Sequence, residues 1–324
     1  MHTAWGQAQP SSPDAEATEP IQNSNLNGET ALLILLAEMQ LNRGDFGAAY
    51  SMMFEAAKKT NDEGLYKRAV DIALSARNGN LALEAARQWK KAQPVSRTAN
   101  LHVLQILVAL NQLPESLMPL RAYVQLAPES EQVLLINGLP QIFAQAKDPE
   151  LAAAVVEQAL QPFVDKPLTA AASWTAIGRM QVSAKKPSQA LASVKKALAR
   201  QPDAMEPGFL ALELYAAGIA EAEDLLKTVL TDKSPPHLRL SYARALIDNQ
   251  RIALAKTQLQ SLNQSHPDFA DAWLLMGALT MEQLQYDEAK SALLRFIEIE
   301  KTKEDGRLSQ AYLMLRSEEH TSEL

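Results

Sequence analysis

A small residue recurs along this chain at nearly constant intervals, each time inside a similar local pattern. Turn-forming residues such as Gly44-Asp45 or Pro114 precede it, and apolar or small residues follow it four and seven positions later. Successive separations are 33, 34, 36, 38, 32, 33 and 34 residues, a spacing typical of repeated supersecondary units. The series consists of Ala49, Ala82, Ser116, Ala152, Ala190, Ala222, Ala255 and Ala289.

Each unit contains two stretches of about 12–14 residues in which apolar residues lie three and four positions apart, the mark of an amphipathic helix. Strong helix formers dominate, whereas aromatic residues make up only 6% of the chain, which disfavours a strand-rich fold. One helical hairpin cannot bury its own apolar face, so neighbouring hairpins must stack. We therefore expect an all-α protein built as an array.

Helix boundaries are also written in the sequence. Gly44 is expected to end a helix in the left-handed conformation, and Asp45 to cap the next one. Asp148-Pro149-Glu150 repeats this logic, with a capping Asp, Pro at the first helical position and Glu in the first turn. Prolines that donate no N–H are expected to stop the second helix of several units, at Pro94, Pro128, Pro202 and Pro267.

Two units show a fuller motif. Trp174 and Trp273 lie sixteen positions before the small residue, and each is followed four residues later by a glycine, Gly178 or Gly277. This order of aromatic residue, glycine, turn, small residue, alanine and proline resembles the tetratricopeptide repeat. The resemblance implies a right-handed α-solenoid of stacked antiparallel helix pairs, a superhelix in which the first helix of each pair lines a concave groove.

The resemblance covers about Glu29 to Leu315, as eight repeats plus part of a ninth. It is weaker in Asp62–Pro94, Glu129–Pro167 and Asp203–Pro235. Tryptophans at repeat positions are expected to pack between helices. Trp89 lies on a second helix, and we leave open whether it belongs to the core or to a binding surface.

Residues 1–28 are rich in Pro, Ser, Ala and Glu and are interpreted as a disordered leader. Ala4–Gln9 is either the tail of a secretory signal or part of an ordinary flexible terminus. The array is assigned to residues 29–315, with its ninth repeat truncated. Residues 316–324 resemble a translated sequencing adapter and are interpreted as an artefact tail.

A search for catalytic chemistry finds no constellation. The five histidines lie far apart along the chain, there is no cysteine, and no metalloprotease, calcium-loop or phosphate-loop motif occurs. We expect no cofactor and no metal. The net charge of −7 disfavours nucleic acid as a partner, and no apolar stretch is long enough to span a membrane.

The resemblance also allows groove-facing positions to be projected from the repeat register. Apolar side chains there would anchor a partner helix or peptide. Arg179 and Arg244 would bind a carboxylate or backbone carbonyls, or else remain solvated charges. The projected residues are Ile34, Glu38, Leu41, Leu101, Gln105, Thr175, Arg179, Leu240, Arg244, Leu274 and Met281.

These observations predict a non-catalytic scaffold that binds a protein or peptide, with envelope assembly or secretion in bacteria as its setting. A periplasmic location is expected, with the cytoplasm as the alternative. The competing hypothesis is that the repeats are the docking half of an enzyme, such as a glycosyltransferase, whose catalytic domain is missing from the truncated C-terminus. Self-association is expected through the apolar residues Leu308, Tyr312 and Leu315 of the ninth repeat, which a complete array would cover with a polar cap.

Overall fold

The computed structural model describes residues 27–202, 204–231 and 234–301. The predicted leader up to residue 26, the partial ninth repeat with its self-association surface, and the tail at 316–324 lie outside these residues. Asn27 caps the first helix, accepting a hydrogen bond from the Thr30 backbone N–H at 2.9 Å, and Gly28 begins that helix.

Within the described residues every regular element is a helix, namely sixteen α-helices and one 3-10 helix, so the predicted all-α class is confirmed. No helix in this part of the chain is long and apolar enough to cross a lipid bilayer. The chain divides into two compact units, one ending at Gln93 and the other beginning at Pro94, and each is treated by itself below.

The first unit contains two helical hairpins. Consecutive helices pack on one another, so the unit is a layered stack. Tyr66 and Trp89 are fully buried, and the Trp89 indole N–H donates to the Gln93 side chain at 3.2 Å. Trp89 is therefore a core residue. The helices are α1 (Gly28–Asn42), α2 (Phe46–Thr60), α3 (Glu63–Ser75) and α4 (Gly79–Ala92).

The second unit continues the same order, with each pair forming a first and a second helix. Within it the first helices α7, α9, α11 and α13 also pack side by side. A 3-10 helix, Leu113–Ser116, precedes α6. The α-helices are α5 (Arg97–Ala109), α6 (Leu117–Gln125), α7 (Glu129–Ile142), α8 (Pro149–Leu160), α9 (Ala170–Ser183), α10 (Pro187–Arg200), α11 (Met205–Ala216), α12 (Ala222–Val229), α13 (Pro236–Asp248), α14 (Ile252–Ser265), α15 (Ala270–Glu282) and α16 (Tyr286–Glu300).

The turn inside a hairpin has the same backbone geometry in seven cases among the described residues. One residue adopts a left-handed φ, and the next residue donates its N–H to the carbonyl five positions earlier, at 2.8 to 3.0 Å. This is the Schellman closure of a helix C-terminus, and it satisfies carbonyls that would otherwise lack partners. The left-handed residues are Gly44, Arg77, Asn111, Lys185, Gly218, Gln250 and Leu284.

The recurring small residues lie where the two helices of a hairpin touch. All eight members of the series, from Ala49 to Ala289, have no exposed surface. Gly178 and Gly277 mark further close approaches, because a Cβ at either position would lie 2.7 Å from a leucine side chain. Both sets of positions therefore lie where neighbouring helices come close together.

Helix ends also follow the prediction. The Asp45 and Asp148 side chains each accept a hydrogen bond at 3.0 Å from the backbone N–H three residues later, as caps of α2 and α8. The four predicted prolines stand two or three residues beyond the last residue of the second helix that each follows. Capping and termination are thus encoded locally in this chain.

The fourth hairpin departs from the pattern. Residues 143–148 join α7 to α8, and none of these six has a positive φ. Pro140, in the last turn of α7, cannot donate the usual intrahelical hydrogen bond. As a result α7 packs mainly against α9, while α8 packs against α6 and α9.

Candidate partner-binding groove

The first helices of three consecutive hairpins, α7, α9 and α11, enclose a pocket of about 380 Å³ together with the segments that precede α9 and α11. Its volume falls within the range of sites that take a small ligand or a side chain of a partner. The lining residues are Val133, Asn137, Leu168, Ala171, Ala172, Thr175, Gln201, Ala204, Met205, Glu206 and Pro207.

Small apolar residues form much of the pocket wall, and large apolar residues stand at its rim. Ala171 and Ala172 are buried, whereas the side chains of Leu168 and Met205 are 51% and 43% exposed. Exposed apolar groups of this size around a concavity are typical of a surface that binds another molecule. The pocket can therefore accept an apolar side chain.

Polar groups in the pocket are few and differ in their availability. The Thr175 hydroxyl donates to the Ala171 carbonyl at 2.7 Å, so its proton is already used. The half-exposed Asn137 amide and the Glu206 carboxylate make no hydrogen bond or ion pair within the structure as described. An asparagine amide offers both a donor and an acceptor, which matches the main chain of a bound peptide.

Two arginines of the first helices carry free positive charge. Arg179 lies on α9 one turn after Thr175 and is half-exposed, and Arg244 on α13 is exposed. Neither guanidinium forms an ion pair among the described residues. Both can bind a carboxylate or backbone carbonyls of a partner. An arginine that is only solvated would also be unpaired in this way.

The other projected groove residues differ in how exposed they are in the structure. Gln105 is exposed and Leu101 half-exposed on α5, whereas Thr175 and Leu240 are 1% and 2% exposed. Thr175 contributes only a small surface to the pocket wall, and Leu240 is buried. Leu240 belongs to the buried cluster to which α10 to α16 contribute. Leu274 and Met281 are half-exposed but pack against the cluster that contains Phe296 and Ile297.

In the first unit, Ile34, Glu38 and Leu41 are half-exposed on α1. Glu38 is not a free charge, because it accepts two hydrogen bonds of 2.7 Å from the Arg68 guanidinium of α3. These bonds lower the pKa of the Glu38 carboxyl, since Arg68 stabilises the ionised form. The fork-shaped pair ties α1 to α3, so Glu38 has a structural use before any partner arrives.

The pocket residues of α7 and α11 were not among the projected positions. Asn137 and Met205 fall in the fourth and sixth hairpins, where the repeat motif is weak and its register gives no secure projection. In the structure, these pocket residues are revealed by the exposed leucine and methionine side chains on first helices. The described residues hold no group of three or more His, Cys, Asp or Glu side chains that could bind a metal ion.

The recurring turns, the buried small residues and the glycine contacts define an α-helical protein built from repeated helical hairpins, an arrangement similar to that of the tetratricopeptide repeat. No family model matches this sequence. No curated protein matches it either.

Three solved structures resemble the chain loosely. A tetratricopeptide repeat protein from Parabacteroides merdae is 13% identical over 90% of this chain and 99% of its own, with a TM-score of 0.35. Yeast Tom70 is 13% identical over 90% of this chain and 76% of its own, with a TM-score of 0.36. PilW, a type IV pilus biogenesis factor, is 19% identical over 64% of this chain and 100% of its own, with a TM-score of 0.31.

Proposed function

We propose that this protein is a non-catalytic scaffold that binds a peptide segment of a partner protein along the first helices of its second unit. The observation that carries the proposal is the pocket of about 380 Å³ between α7, α9 and α11. Three successive hairpins contribute to it, so an extended ligand crossing the repeats would meet it directly. An apolar residue of that ligand occupies the pocket.

The charges beside the pocket define the partner further. Arg179 stands one helical turn beyond a pocket residue and lacks an acidic partner among the described residues. A carboxylate of the ligand pairs with its guanidinium, which presents several donors in a fixed geometry. Asn137 bonds the ligand main chain. The proposed ligand is thus an extended segment that combines a large apolar residue with an acidic one.

The test is a selection of random peptides displayed on phage against the full chain, followed by affinity measurements on the enriched peptides by fluorescence anisotropy. We expect these peptides to share a large apolar residue and an acidic residue. Arg179→Glu should weaken their binding at least about tenfold, which corresponds to about 1.4 kcal/mol.

A matched control comes from the second helix of the same hairpin. Lys195 on α10 is exposed and has no ion-pair partner in the described structure, so Lys195→Glu makes the same change in charge without touching the pocket. Binding should be unchanged in this variant. The proposal fails when no peptide is enriched, or when both variants bind the selected peptides equally.

Within this class we propose a setting in bacterial envelope assembly or secretion, with a periplasmic location. Its support is the segment Ala4–Gln9, whose small residues resemble the tail of a secretory signal, within a leader rich in Pro, Ser and Ala. Fractionation of cells that produce the native gene product tests the location. Recovery with the cytoplasm would contradict it without affecting the groove.

A further inference from the structure

A second pocket, of about 240 Å³, lies between α14, α15 and α16 and shares no residue with the first. It has one aromatic wall, an apolar floor and a rim of amide and hydroxyl side chains. Its lining residues are Gln260, Asn263, Gln264, Trp273, Met276, Glu288, Ser291 and Ala292.

Asn263 is the unusual member of this set. Its side chain is 7% exposed, and its Oδ1 is shielded from solvent without a hydrogen-bonding partner. The amide as a whole makes no hydrogen bond within the described chain. A buried polar group without a partner destabilises a fold, so an asparagine at this position costs stability that an apolar residue would not. A ligand that bonds the amide accounts for its presence.

The aromatic wall is held in place. The Trp273 Nε1–H donates to the Pro267 carbonyl at 2.9 Å, which fixes the orientation of the indole ring. Met276 and Ala292 are 3% and 2% exposed and form the apolar base beside it. The pocket therefore presents a rigid apolar surface to anything that enters.

The rim is polar but carries no unbalanced charge. Gln260 and Gln264 lie one turn apart on α14, and Ser291 lies on α16; all three are exposed. Glu288, the single ionisable residue in the lining, is paired with the Lys256 ammonium. Neither a phosphate nor a cation would find an uncompensated charge here, so the lining favours an uncharged ligand.

We propose that this pocket binds one pyranose ring of a neutral sugar. Such a ring has an apolar C–H face, which packs on Trp273, and a rim of hydroxyl groups that both donate and accept hydrogen bonds. The carboxamides of Gln260, Gln264 and Asn263 supply the matching donors and acceptors. A volume of about 240 Å³ lies below the range of drug-sized sites and suits one ring better than a chain passing through.

The experiment titrates the full chain with glucose, galactose, N-acetylglucosamine and maltose by calorimetry, alongside tri-alanine amide as an uncharged peptide probe. At least one sugar should bind saturably, and the peptide should not. Asn263→Leu should weaken the binding of that sugar at least tenfold. Because the variant replaces an unsatisfied buried amide by an apolar group of similar size, it should fold and unfold at a higher urea concentration.

Asn137→Leu is the matched control, since it makes the same exchange in the groove pocket and should leave sugar binding unchanged. Its effect on selected peptides belongs to the scaffold function, so the two proposals fail separately. Absence of saturable binding by every sugar, equal binding by Asn263→Leu, or binding of the peptide instead of the sugars would each overturn the sugar site.

Discussion

Gly178 and Gly277 lie on the first helices of two hairpins, directly against a leucine of a neighbouring helix. A Cβ on Gly277 would lie 2.7 Å from both Cγ and Cδ2 of Leu293, so relief requires movement of the whole side chain and not of its tip alone. Leu293 is itself fully buried. Glycine is thus required at this position because there is no room for an added methyl group.

Gly277→Ala should therefore lower the free energy of unfolding by about 1–3 kcal/mol, as overpacking of a filled core does. Urea denaturation followed by circular dichroism measures it. Gly138 is the matched control, because it also lies inside a first helix but a Cβ there would meet nothing within 4 Å. Gly138→Ala should gain up to about 1 kcal/mol from helix propensity. Equal effects at the two positions would rule out the steric explanation.

The regular spacing of the small residues predicted repeated helical hairpins, and it coincides with buried positions because the two helices of one hairpin meet at points that the helical period and the turn determine. Exposure in the groove was harder to predict. Thr175 and Leu240 follow the repeat register and yet are buried, since the rotation of the next hairpin decides what covers a first-helix residue. That rotation depends on packing between units, which one repeat does not encode.

At the scale of elements, a polar network joins the helices α11, α12 and α13 to Arg251, the residue that precedes α14. Glu223 on α12 accepts hydrogen bonds from the Tyr242 hydroxyl at 2.8 Å and from the Arg251 guanidinium at 2.7 Å. Arg251 also donates to the Tyr215 hydroxyl at 2.9 Å. Hydrogen bonding from Arg251 lowers the pKa of the Glu223 carboxyl, and burial raises the pKa of Tyr242. The short helix α12 is anchored through this carboxylate.

Glu223→Gln should lower the free energy of unfolding by about 1–3 kcal/mol at pH 7, because it removes charge-assisted hydrogen bonds. The folded-state pKa of Glu223 lies below the usual 4.5, so the unfolded chain takes up the proton first as the pH falls. The difference in the free energy of unfolding between wild type and variant should therefore have its full size above pH 4.5 and decrease below that pH. Urea titrations between pH 7 and pH 3 measure this.

Glu298→Gln provides the comparison for this series. Glu298 pairs with Arg295 on the surface of α16, where its side chain is 66% exposed. An exposed pair of this kind contributes little, about 0.5 kcal/mol or less, so the variant should follow the wild type at every pH. A loss for Glu223→Gln that does not change with pH would contradict a charged role for this carboxyl.

The fourth hairpin shows what local sequence predicts about elements. Its motif is weak, and the structure gives a reason, since a six-residue connection at 143–148 replaces the left-handed turn. The start of α8 was nevertheless predicted correctly, because Asp148 and Pro149 act through neighbouring atoms only. Capping signals are local, whereas the pairing of α7 with α9 depends on long-range packing.

At the scale of the whole molecule, helices pack mainly on helices that are near them in the chain. In an array with this kind of packing, a local defect should spread only to adjacent repeats. Trp89→Ala tests this. Removal of the fully buried indole ring of α4 should lower the free energy of unfolding by about 3–5 kcal/mol.

Hydrogen–deuterium exchange with mass spectrometry is the suitable measurement for Trp89→Ala. Amides of α2 to α4 should lose protection, while those of α13 to α16 should keep theirs. Uniform loss along the chain would instead indicate one cooperative globule. A wild-type sample at the same pH and temperature gives the reference rates.

The left-handed corner of a hairpin here is more often occupied by a side-chain-bearing residue than by glycine, as at Arg77, Lys185 or Leu284. Main-chain hydrogen bonds close each of these corners, so the position requires a backbone angle and not a particular amino acid. Any residue that tolerates a positive φ can therefore occupy the corner while the hairpin stays closed, whereas β-branched residues and proline would be strained there. The amino-acid sequences of repeats can in this way diverge beyond recognition while their three-dimensional structures remain similar.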